Sequence, residues 1–80
     1  MKAIILYSKP GCGACLFTKK LLDKLGLAYI EKNLANDPSY KDEVRDLGFD
    51  SLPVVQIGQE EAFCGYQPQK IEALLAFSCD

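Results

Sequence analysis

The sequence predicts an α/β fold with the element order β-α-β-α-β-β-α, a four-stranded mixed sheet flanked by three helices. Three observations lead to this prediction. The chain has 80 residues and is 49% hydrophobic, which suits one folded domain over residues 1–80. Its apolar residues alternate along the chain between strand-like and helix-like spacing. Gly and Pro residues separate these segments, so no connection longer than about six residues is needed.

The first half is predicted to form a strand, a helix and a second strand. Residues 3–7 are a continuous apolar run rich in β-branched side chains, which is typical of a strand covered on both faces. The helix that follows has an apolar stripe with spacings of four, made of Phe17, Leu21 and Leu25. Gly26 is predicted to end this helix, and residues 27–34 alternate as a strand. Because a helix joins the two strands, we expect them to be parallel with a right-handed crossover.

The second half is predicted to form a helix, a hairpin and a last helix. Asp37 is the predicted N-cap of the first of these helices, with Pro38 at its first position. Residues 53–57 and 61–64 are short strands separated by three residues, so we expect them to pair antiparallel. Pro68 begins the last helix. The predicted buried residues of that helix are Ile71, Leu74, Leu75 and Ser78.

The residue types that are absent exclude several kinds of chemistry. The chain has no histidine, no tryptophan, four cysteines and a formal net charge of −2. Without histidine it has no Cys–His or Ser–His nucleophile pair, no imidazole base and no Cys₂His₂ zinc site. The longest apolar run is far shorter than the roughly 20 residues that cross a membrane, and it lacks a signal-peptide cleavage site. A mildly acidic chain without a basic run also argues against nucleic acid as the main partner.

The charges are divided unevenly along the chain. Residues 1–40 contain six lysines and three acidic residues, whereas residues 41–80 contain three basic and eight acidic residues. Two solvated faces of different charge would account for this division. Lys19 and Lys20 are predicted on the solvent face of the first helix, where they act through long-range potential. The more positive half also contains a close pair of cysteines.

Cys12 and Cys15 form a C-x-x-C motif where the first strand ends and the first helix begins. Cysteines this close reach disulfide geometry with little backbone movement, and they also persist as two thiols. The motif beside a β-α-β pattern is typical of thioredoxin-like redox proteins. Cys12 is the predicted nucleophile, because the helix N-terminus stabilises a thiolate. Cys15 lies one turn further, and we predict that it is more buried and resolves the mixed disulfide.

Lys9 is the candidate for further activation of Cys12. It lies three residues upstream, on the same loop, and adds positive charge. In such surroundings the pKa of a thiol falls from about 8.5 into the range of roughly 3.5–7.5. Because the chain has no histidine, this electrostatic route is the one available for forming the thiolate.

Other functions of the cysteines remain open. A structural disulfide would close a very small loop and stabilise the fold little. A four-cysteine zinc site would also need Cys64 and Cys79, which are 15 residues apart. Copper chaperones place C-x-x-C after their first strand, but they have another element order and usually Met where Pro10 stands. A metal-binding chaperone is therefore kept as the alternative of a different class. Cys64 itself is predicted as a small apolar filler or a regulatory thiol.

The motifs together resemble the glutaredoxin branch of the thioredoxin superfamily. The matching segments are Tyr7-Ser8-Lys9-Pro10-Gly11-Cys12-Gly13-Ala14-Cys15, Leu52-Pro53-Val54-Val55 and Gly65-Tyr66. They are spread over the whole chain. The resemblance implies a thioredoxin/glutaredoxin-like fold and a thiol-disulfide oxidoreductase. It also implies no tightly bound cofactor beyond a redox-active disulfide between Cys12 and Cys15.

Within this branch the chain resembles the NrdH-type redoxins most closely. The matching segments are Leu47-Gly48-Phe49 and Cys64-Gly65-Tyr66-Gln67-Pro68. The chain departs from that type at Phe63, where Trp is usual, and at Gln67, where Arg is usual. Glutathione-dependent glutaredoxins instead have Gly-Gly-x-Asp before the last helix and an aromatic residue between the cysteines.

The NrdH resemblance implies an electron donor to ribonucleotide reductase that is itself reduced by thioredoxin reductase, ultimately from NADPH. A glutathione-dependent glutaredoxin is the alternative. Another disulfide-bearing protein is an alternative target. We expect a cytoplasmic monomer without a metal, nucleic-acid or membrane partner.

The resemblance also implies a set of partner-binding residues around Cys12. They are Pro10, Gly11, Gly13, Ala14, Leu52, Pro53, Gly65 and Tyr66. The peptide bond between Leu52 and Pro53 is expected to be cis and to face Cys12, which leaves the Leu52 backbone free to pair with a substrate strand. Gly65 either ends the hairpin or lets a partner backbone approach. Tyr66 is either a rim aromatic or a partner contact.

Overall fold

A computed structural model, which describes residues 3–58 and 61–78, contains a four-stranded sheet and three helices in the predicted order. The elements are β1 Ile4–Ser8, α1 Gly13–Lys24, β2 Ile30–Asn33, α2 Ser39–Asp46, β3 Val54–Ile57, β4 Glu61–Cys64 and α3 Pro68–Ser78. The predicted fold class is confirmed. Within the described residues, no helix is both long enough and apolar enough to cross a membrane.

The sheet brings the cysteine motif and the proline strand to the same end. Its strand order is β2-β1-β3-β4, with β1 and β2 parallel and the other two pairs antiparallel. Tyr7, near the carboxyl end of β1, pairs with Val54, the first residue of β3. The loop that contains Cys12 therefore leaves the sheet beside the residues that precede Val54. Both central strands are buried, because the side chains of β1 and β3 meet helices on both faces of the sheet.

The helices pack on opposite faces of the sheet. On one face, Leu22 of α1 and Ile71 of α3 pack with Leu6, and all three are fully buried. On the other face, Val44 of α2 packs against Tyr7. The remaining predicted buried residues of the last helix lie outside the side chains that the structure describes. They are Leu74, Leu75 and Ser78.

The buried face of α1 differs from the predicted stripe. Phe17 was expected in the core, but its side chain is 59% exposed. The buried residues of the helix are Cys15, Thr18 and Leu22, which follow one another at helical spacing. Thr18 tolerates complete burial because its hydroxyl donates a hydrogen bond of 2.8 Å to the backbone oxygen of Ala14. The predicted positions Leu21 and Leu25 are partly buried and do contact this core.

The first two strands also have different bounds from those predicted. The predicted strand over residues 3–7 ends one residue too early, because Ser8 is the last residue of β1 and is almost completely buried. β2 spans only Ile30–Asn33 of the predicted residues 27–34. Before it, the N–H of Leu27 donates to the carbonyl of Leu22, which holds this part of the chain against the end of α1. Ile30 is half exposed because β2 is an edge strand.

The start of α2 is displaced by one residue, and the predicted N-cap is wrong, because Pro38 rather than Asp37 occupies that position. The helix spans Ser39–Asp46, and Pro38 precedes it with helical backbone angles. The Asp37 carboxylate accepts a 2.9 Å hydrogen bond from the N–H of Ser39. Asp37 therefore satisfies the amide of the first helical residue from the position before the N-cap.

Candidate active site

The cysteine pair lies at the N-terminus of α1. Cys12 occupies the N-cap position in an extended conformation, and Cys15 lies in the first turn. The two form a disulfide with Cα atoms 5.2 Å apart. Cys15 is 3% exposed, whereas Cys12 is only partly buried. A disulfide on a partner can therefore reach Cys12 before Cys15.

The start of α1 provides an electrostatic environment for a thiolate. The N–H of Cys15 donates to Sγ of Cys12 at 3.1 Å, and the N–H of Leu16 donates to the Cys12 carbonyl at 3.2 Å. No acidic residue lies in the first turn of the helix. A free amide and the positive end of the helix dipole thus face the sulfur that would carry negative charge in the reduced protein.

The proline loop lies opposite Cys12. The peptide bond between Leu52 and Pro53 is cis, the isomer that was predicted, and Sγ of Cys12 is 4.0 Å from the Leu52 carbonyl oxygen. Leu52 precedes the first paired residue of β3, so its backbone lies beyond the hydrogen-bond ladder of the sheet. The Pro53 carbonyl accepts a 2.8 Å hydrogen bond from the N–H of Gly65, which joins this loop to the end of β4.

Gly65 is required for its own backbone conformation. Its φ angle is +83°, a region that side chains with a Cβ rarely adopt. A Cβ added there would meet no atom within 4 Å, so the space beside the glycine is open in the free protein. The same space is available to a partner backbone.

The remaining predicted site residues surround Cys12 at different levels of exposure. Lys9, Pro10, Gly11 and Gly13 are exposed in the loop and at the start of the helix, whereas Ala14 is partly buried. Cys64 is half-buried and packs with the core on the α2 side of the sheet. Cys79 lies outside the described residues.

An exposed apolar surface lies beside the cysteine pair on α1. Leu16 and Phe17 are 50% and 59% exposed, and Tyr66 is 43% exposed. The rings of Phe17 and Tyr66 are in contact, with centroids 6.0 Å apart and planes inclined at 45°. Sequence reasoning placed Phe17 in the core and so missed this pair. The signal was present, since Cys15, Thr18 and Leu22 define a face of the helix that excludes position 17.

A cleft of about 340 Å³ opens on the side of α1 that faces β2. Its lining residues come from β1, the following loop, α1 and β2. They are Ser8, Lys9, Gly11, Cys12, Gly13, Cys15, Leu16, Lys19, Glu31 and Asn33. Both sulfur-bearing residues of the pair thus line a cavity that also contains charged side chains.

Glu31 is the centre of a polar network in this cleft. One of its oxygens accepts a 2.8 Å hydrogen bond from the Ser8 hydroxyl, and the other lies 2.9 Å from Nζ of Lys19. Lys19, and then Ser8, lower the pKa of Glu31 below its ordinary value. The sequence predicted Lys19 on the solvent face and did not single out Glu31. The missing information was the parallel register of β1 and β2, in which Ser8 pairs with Asn33, two residues beyond Glu31.

The segment before α3 has no carboxylate at the position where glutathione-dependent glutaredoxins have Asp. Gln67 stands there, and its side-chain Nε2 donates a 2.7 Å hydrogen bond to the carbonyl of Cys64. The amide is thus engaged within its own turn. Within residues 3–58 and 61–78, no group of three or more His, Cys, Asp or Glu side chains is arranged to hold a metal ion.

The sequence profile of the glutaredoxin family matches residues 4–62, which is most of the chain. The chain belongs to the glutaredoxin family. The family prediction is thereby confirmed, and this glutaredoxin-family protein is a thiol-disulfide oxidoreductase.

Its relatives place the chain within the NrdH type of the family. The Gene 56 protein of Mycobacterium phage D29 is 33% identical over 75 residues, covering 92% of this chain and 83% of the relative. The glutaredoxin-like protein NrdH of Lactococcus lactis subsp. cremoris is 31% identical over 71 residues, covering 89% and 97%. The structure of the NrdH-redoxin from Escherichia coli superposes with a TM-score of 0.83 at 29% identity, covering 90% and 93%.

Proposed function

We propose that the protein is a dithiol electron carrier that reduces a disulfide of ribonucleotide reductase and is itself reduced by thioredoxin reductase. The observation that carries this proposal is the position of Cys12. Its sulfur lies at the start of α1, partly exposed, and 4.0 Å from the carbonyl of Leu52, whose backbone lies beyond the sheet ladder. A partner disulfide can approach Cys12 while the partner backbone beside that disulfide pairs with the backbone of Leu52.

The reaction proceeds by two thiol-disulfide exchanges. The Cys12 thiolate attacks one sulfur of the partner disulfide, which forms a mixed disulfide and releases the other partner sulfur as a thiolate. The Cys15 thiol then loses its proton to solvent and attacks Cys12. The Cys12–Cys15 disulfide forms, and the second partner sulfur leaves as a thiolate. Two electrons pass to the partner, whose two thiolates take up protons from solvent.

Thioredoxin reductase then returns two electrons from NADPH to the Cys12–Cys15 disulfide. Two features favour this route over glutathione. Gln67 offers no carboxylate for a glutathione amine, and its side-chain amide donates a hydrogen bond to the backbone carbonyl of Cys64. The Escherichia coli relative is a glutaredoxin-like protein with a thioredoxin-like activity profile.

The surrounding residues have distinct proposed roles. Lys9 adds positive charge beside the Cys12 thiolate, and Leu52 supplies backbone groups to the partner strand. The small or short side chains around the cysteine leave the partner free to reach Cys12. They belong to Pro10, Gly11, Gly13 and Ala14. Pro53 fixes the turn opposite the sulfur. Gly65 leaves room for the partner backbone, and Tyr66 contacts it together with Phe17.

The proposed setting is the cytoplasm, where thiols are kept reduced by NADPH-dependent enzymes. The carrier acts there as a monomer, because the mechanism uses one cysteine pair and one exposed rim. No metal takes part in it.

The proposal is tested by rebuilding the electron path from purified parts. Class Ib ribonucleotide reductase is supplied with NADPH, the protein and either thioredoxin reductase or glutathione with glutathione reductase. We expect sustained deoxyribonucleotide formation with thioredoxin reductase and at least about tenfold less with the glutathione system, a difference of about 1.4 kcal/mol in barrier.

Three outcomes contradict parts of the proposal. Rapid turnover with glutathione alone would make the protein a glutathione-dependent glutaredoxin. Turnover of general disulfide substrates without any deoxyribonucleotide formation would assign another target protein. Tight Cu(I) binding by Cys12 and Cys15 without disulfide reduction would favour a metal chaperone. A Cys12→Ser variant is the matched control, and it should support no electron transfer in either system.

A further inference from the structure

The cleft beside the cysteine pair contains more charge than the thiol chemistry alone requires. Three charged side chains line it, each from a different segment: Lys9 from the loop after β1, Lys19 from α1 and Glu31 from β2. Lys19 and Glu31 are 2.9 Å apart and pair with each other. The net charge of this lining is therefore that of one lysine.

The ion pair is held in place by a hydrogen bond from the buried end of β1. Ser8 is 3% exposed, and its hydroxyl donates to the Glu31 oxygen that Lys19 does not engage. The carboxylate of Glu31 thus uses both oxygens, one toward the buried end of β1 and one toward α1. This arrangement fixes a negative charge in the same cleft that the sulfur-bearing residues line, and it engages a lysine that would otherwise favour a thiolate.

We propose that the Lys19–Glu31 ion pair limits the net positive charge in the cleft and thereby keeps the Cys12–Cys15 dithiol a strong reductant. A positive charge beside Cys12 stabilises the reduced form with its thiolate and so makes the protein a weaker electron donor. Glu31 offsets one of the two lysines. The remaining lysine, Lys9, still supports the thiolate as a nucleophile.

The inference predicts opposite effects for the two partners. Glu31→Gln leaves two unopposed lysines along the cleft, so the Cys12 thiolate should form at lower pH and the disulfide should be reduced more easily. Lys19→Gln leaves Glu31 opposed only by Lys9, so both properties should change in the opposite direction. The double variant removes one charge of each sign and should return close to the original values. Each single change should move the midpoint of thiolate formation by about half a pH unit.

Two measurements on the isolated protein test this. The rate of Cys12 alkylation by iodoacetamide is followed against pH, and peptide mass spectrometry assigns the reaction to Cys12 rather than to the other cysteines. The equilibrium between the protein disulfide and reduced dithiothreitol is measured at pH 7. We expect about a threefold shift toward reduced protein in Glu31→Gln and about a threefold shift toward oxidised protein in Lys19→Gln, corresponding to half a unit.

Matched variants separate charge from structure. Lys20→Gln removes a lysine from the adjacent position, which does not line the cleft, and should change both readouts by less than a third as much. Lys19→Arg keeps the charge and should retain the original values. Circular dichroism shows whether each variant is folded. If Glu31→Gln does not fold, the shift measured for Lys19→Gln is the test.

The inference is overturned if the two single variants shift in the same direction, if neither shifts, or if Lys20→Gln shifts as much as Lys19→Gln. These readouts require no reductase or target protein. The inference can therefore fail while the proposed electron path stands. Equally, the electron path can fail while the effect of the ion pair is observed.

Discussion

At the scale of single residues, the proposed mechanism forms a reactive Cys12 thiolate without a histidine. The proposed thiolate has three sources of stabilisation: the N–H of Cys15 at 3.1 Å, the positive end of the α1 dipole and the charge of Lys9 in the cleft. The first two belong to the backbone and persist in any variant that keeps the helix. The lysine can be removed alone, and its contribution can therefore be measured.

Lys9→Gln should raise the midpoint of Cys12 thiolate formation by about half a pH unit, because it removes a positive charge near the sulfur. At pH 7 the rate of insulin reduction should fall by up to about threefold for the same reason. The midpoint is read from the pH dependence of Cys12 alkylation. Lys24→Gln, in the last turn of the same helix, serves as the control and should leave both values unchanged. A Lys9 variant indistinguishable from the original protein would assign thiolate formation to the helix start alone.

The position of the cysteine pair was predictable from the sequence because its environment is local. The spacing of Cys12 and Cys15, the helix start and the upstream Lys9 all lie within seven residues. Glu31 was not predictable in the same way, because its contact with Ser8 depends on how two strands are aligned. Gln67 could be read as a departure from the family pattern, but its hydrogen bond to Cys64 required the structure.

At the scale of elements, a polar network joins the strands of the site to α2. The Tyr7 hydroxyl donates to Glu43 at 2.8 Å, and Nζ of Lys32 lies 2.9 Å from the same carboxylate oxygen. Nζ of Lys32 also lies 5.4 Å from the centroid of the Tyr40 ring. Lys32, and then Tyr7, lower the pKa of Glu43. The network ties β1, β2 and α2 together.

Removal of the Tyr7 hydroxyl should therefore destabilise the fold at neutral pH, and the loss in free energy of unfolding should be smaller at alkaline pH. Tyr7→Phe should lower the free energy of unfolding by about 1 kcal/mol at pH 7, the usual contribution of one hydrogen bond. Burial, and then Glu43, raise the pKa of Tyr7 from 10.0 to about 12. The folded state thus keeps a proton that the unfolded state loses above pH 10, so this stabilisation is present below pH 10 and declines toward pH 12.

Urea unfolding of both proteins between pH 7 and pH 12 measures this dependence. The difference in free energy of unfolding between the original protein and Tyr7→Phe should narrow above pH 10, vanish within about one pH unit and reverse in sign toward pH 12, because one unit of pKa shift corresponds to about 1.4 kcal/mol. Tyr66→Phe, at an exposed tyrosine, is the matched control. A constant difference across the whole range would show that the hydroxyl has no protonation-linked role.

The elements that the sequence predicted best are those with a single periodicity. β1, β3 and β4 are short apolar or alternating runs with clear Gly and Pro boundaries, and their positions were predicted to within one residue. The face of α1 was predicted less well. Thr18 is polar and Phe17 is apolar, yet the helix buries Thr18, because its hydroxyl bonds to Ala14 and because Cys15 and Leu22 lie on the same face. Hydrophobicity alone assigns those two positions the wrong way round.

At the scale of the whole molecule, the fold concentrates the redox chemistry at one end of the sheet. Antiparallel pairing of β1 with β3 places the cysteine loop beside the Leu52–Pro53 bond, and the hydrogen bond from Gly65 to Pro53 adds the end of β4. The apolar surface of Phe17 and Tyr66 lies on one side of this site, and the charged cleft lies on the other. In the proposed mechanism the partner contacts the apolar side, and the charged cleft adjusts the reactivity of the Cys12 sulfur.

In the proposed mechanism, Cys12 attacks the partner disulfide and Cys15 then releases the reduced partner. The most direct measurement is a trapping experiment with a Cys15→Ser variant, mixed with oxidised ribonucleotide reductase and digested without reduction. Mass spectrometry should identify a mixed disulfide that joins Cys12 to a reductase cysteine, and the Cys12→Ser variant should give none. An adduct on Cys64, or the same adduct formed through Cys15 in the Cys12→Ser variant, would rule out this assignment of the two cysteines.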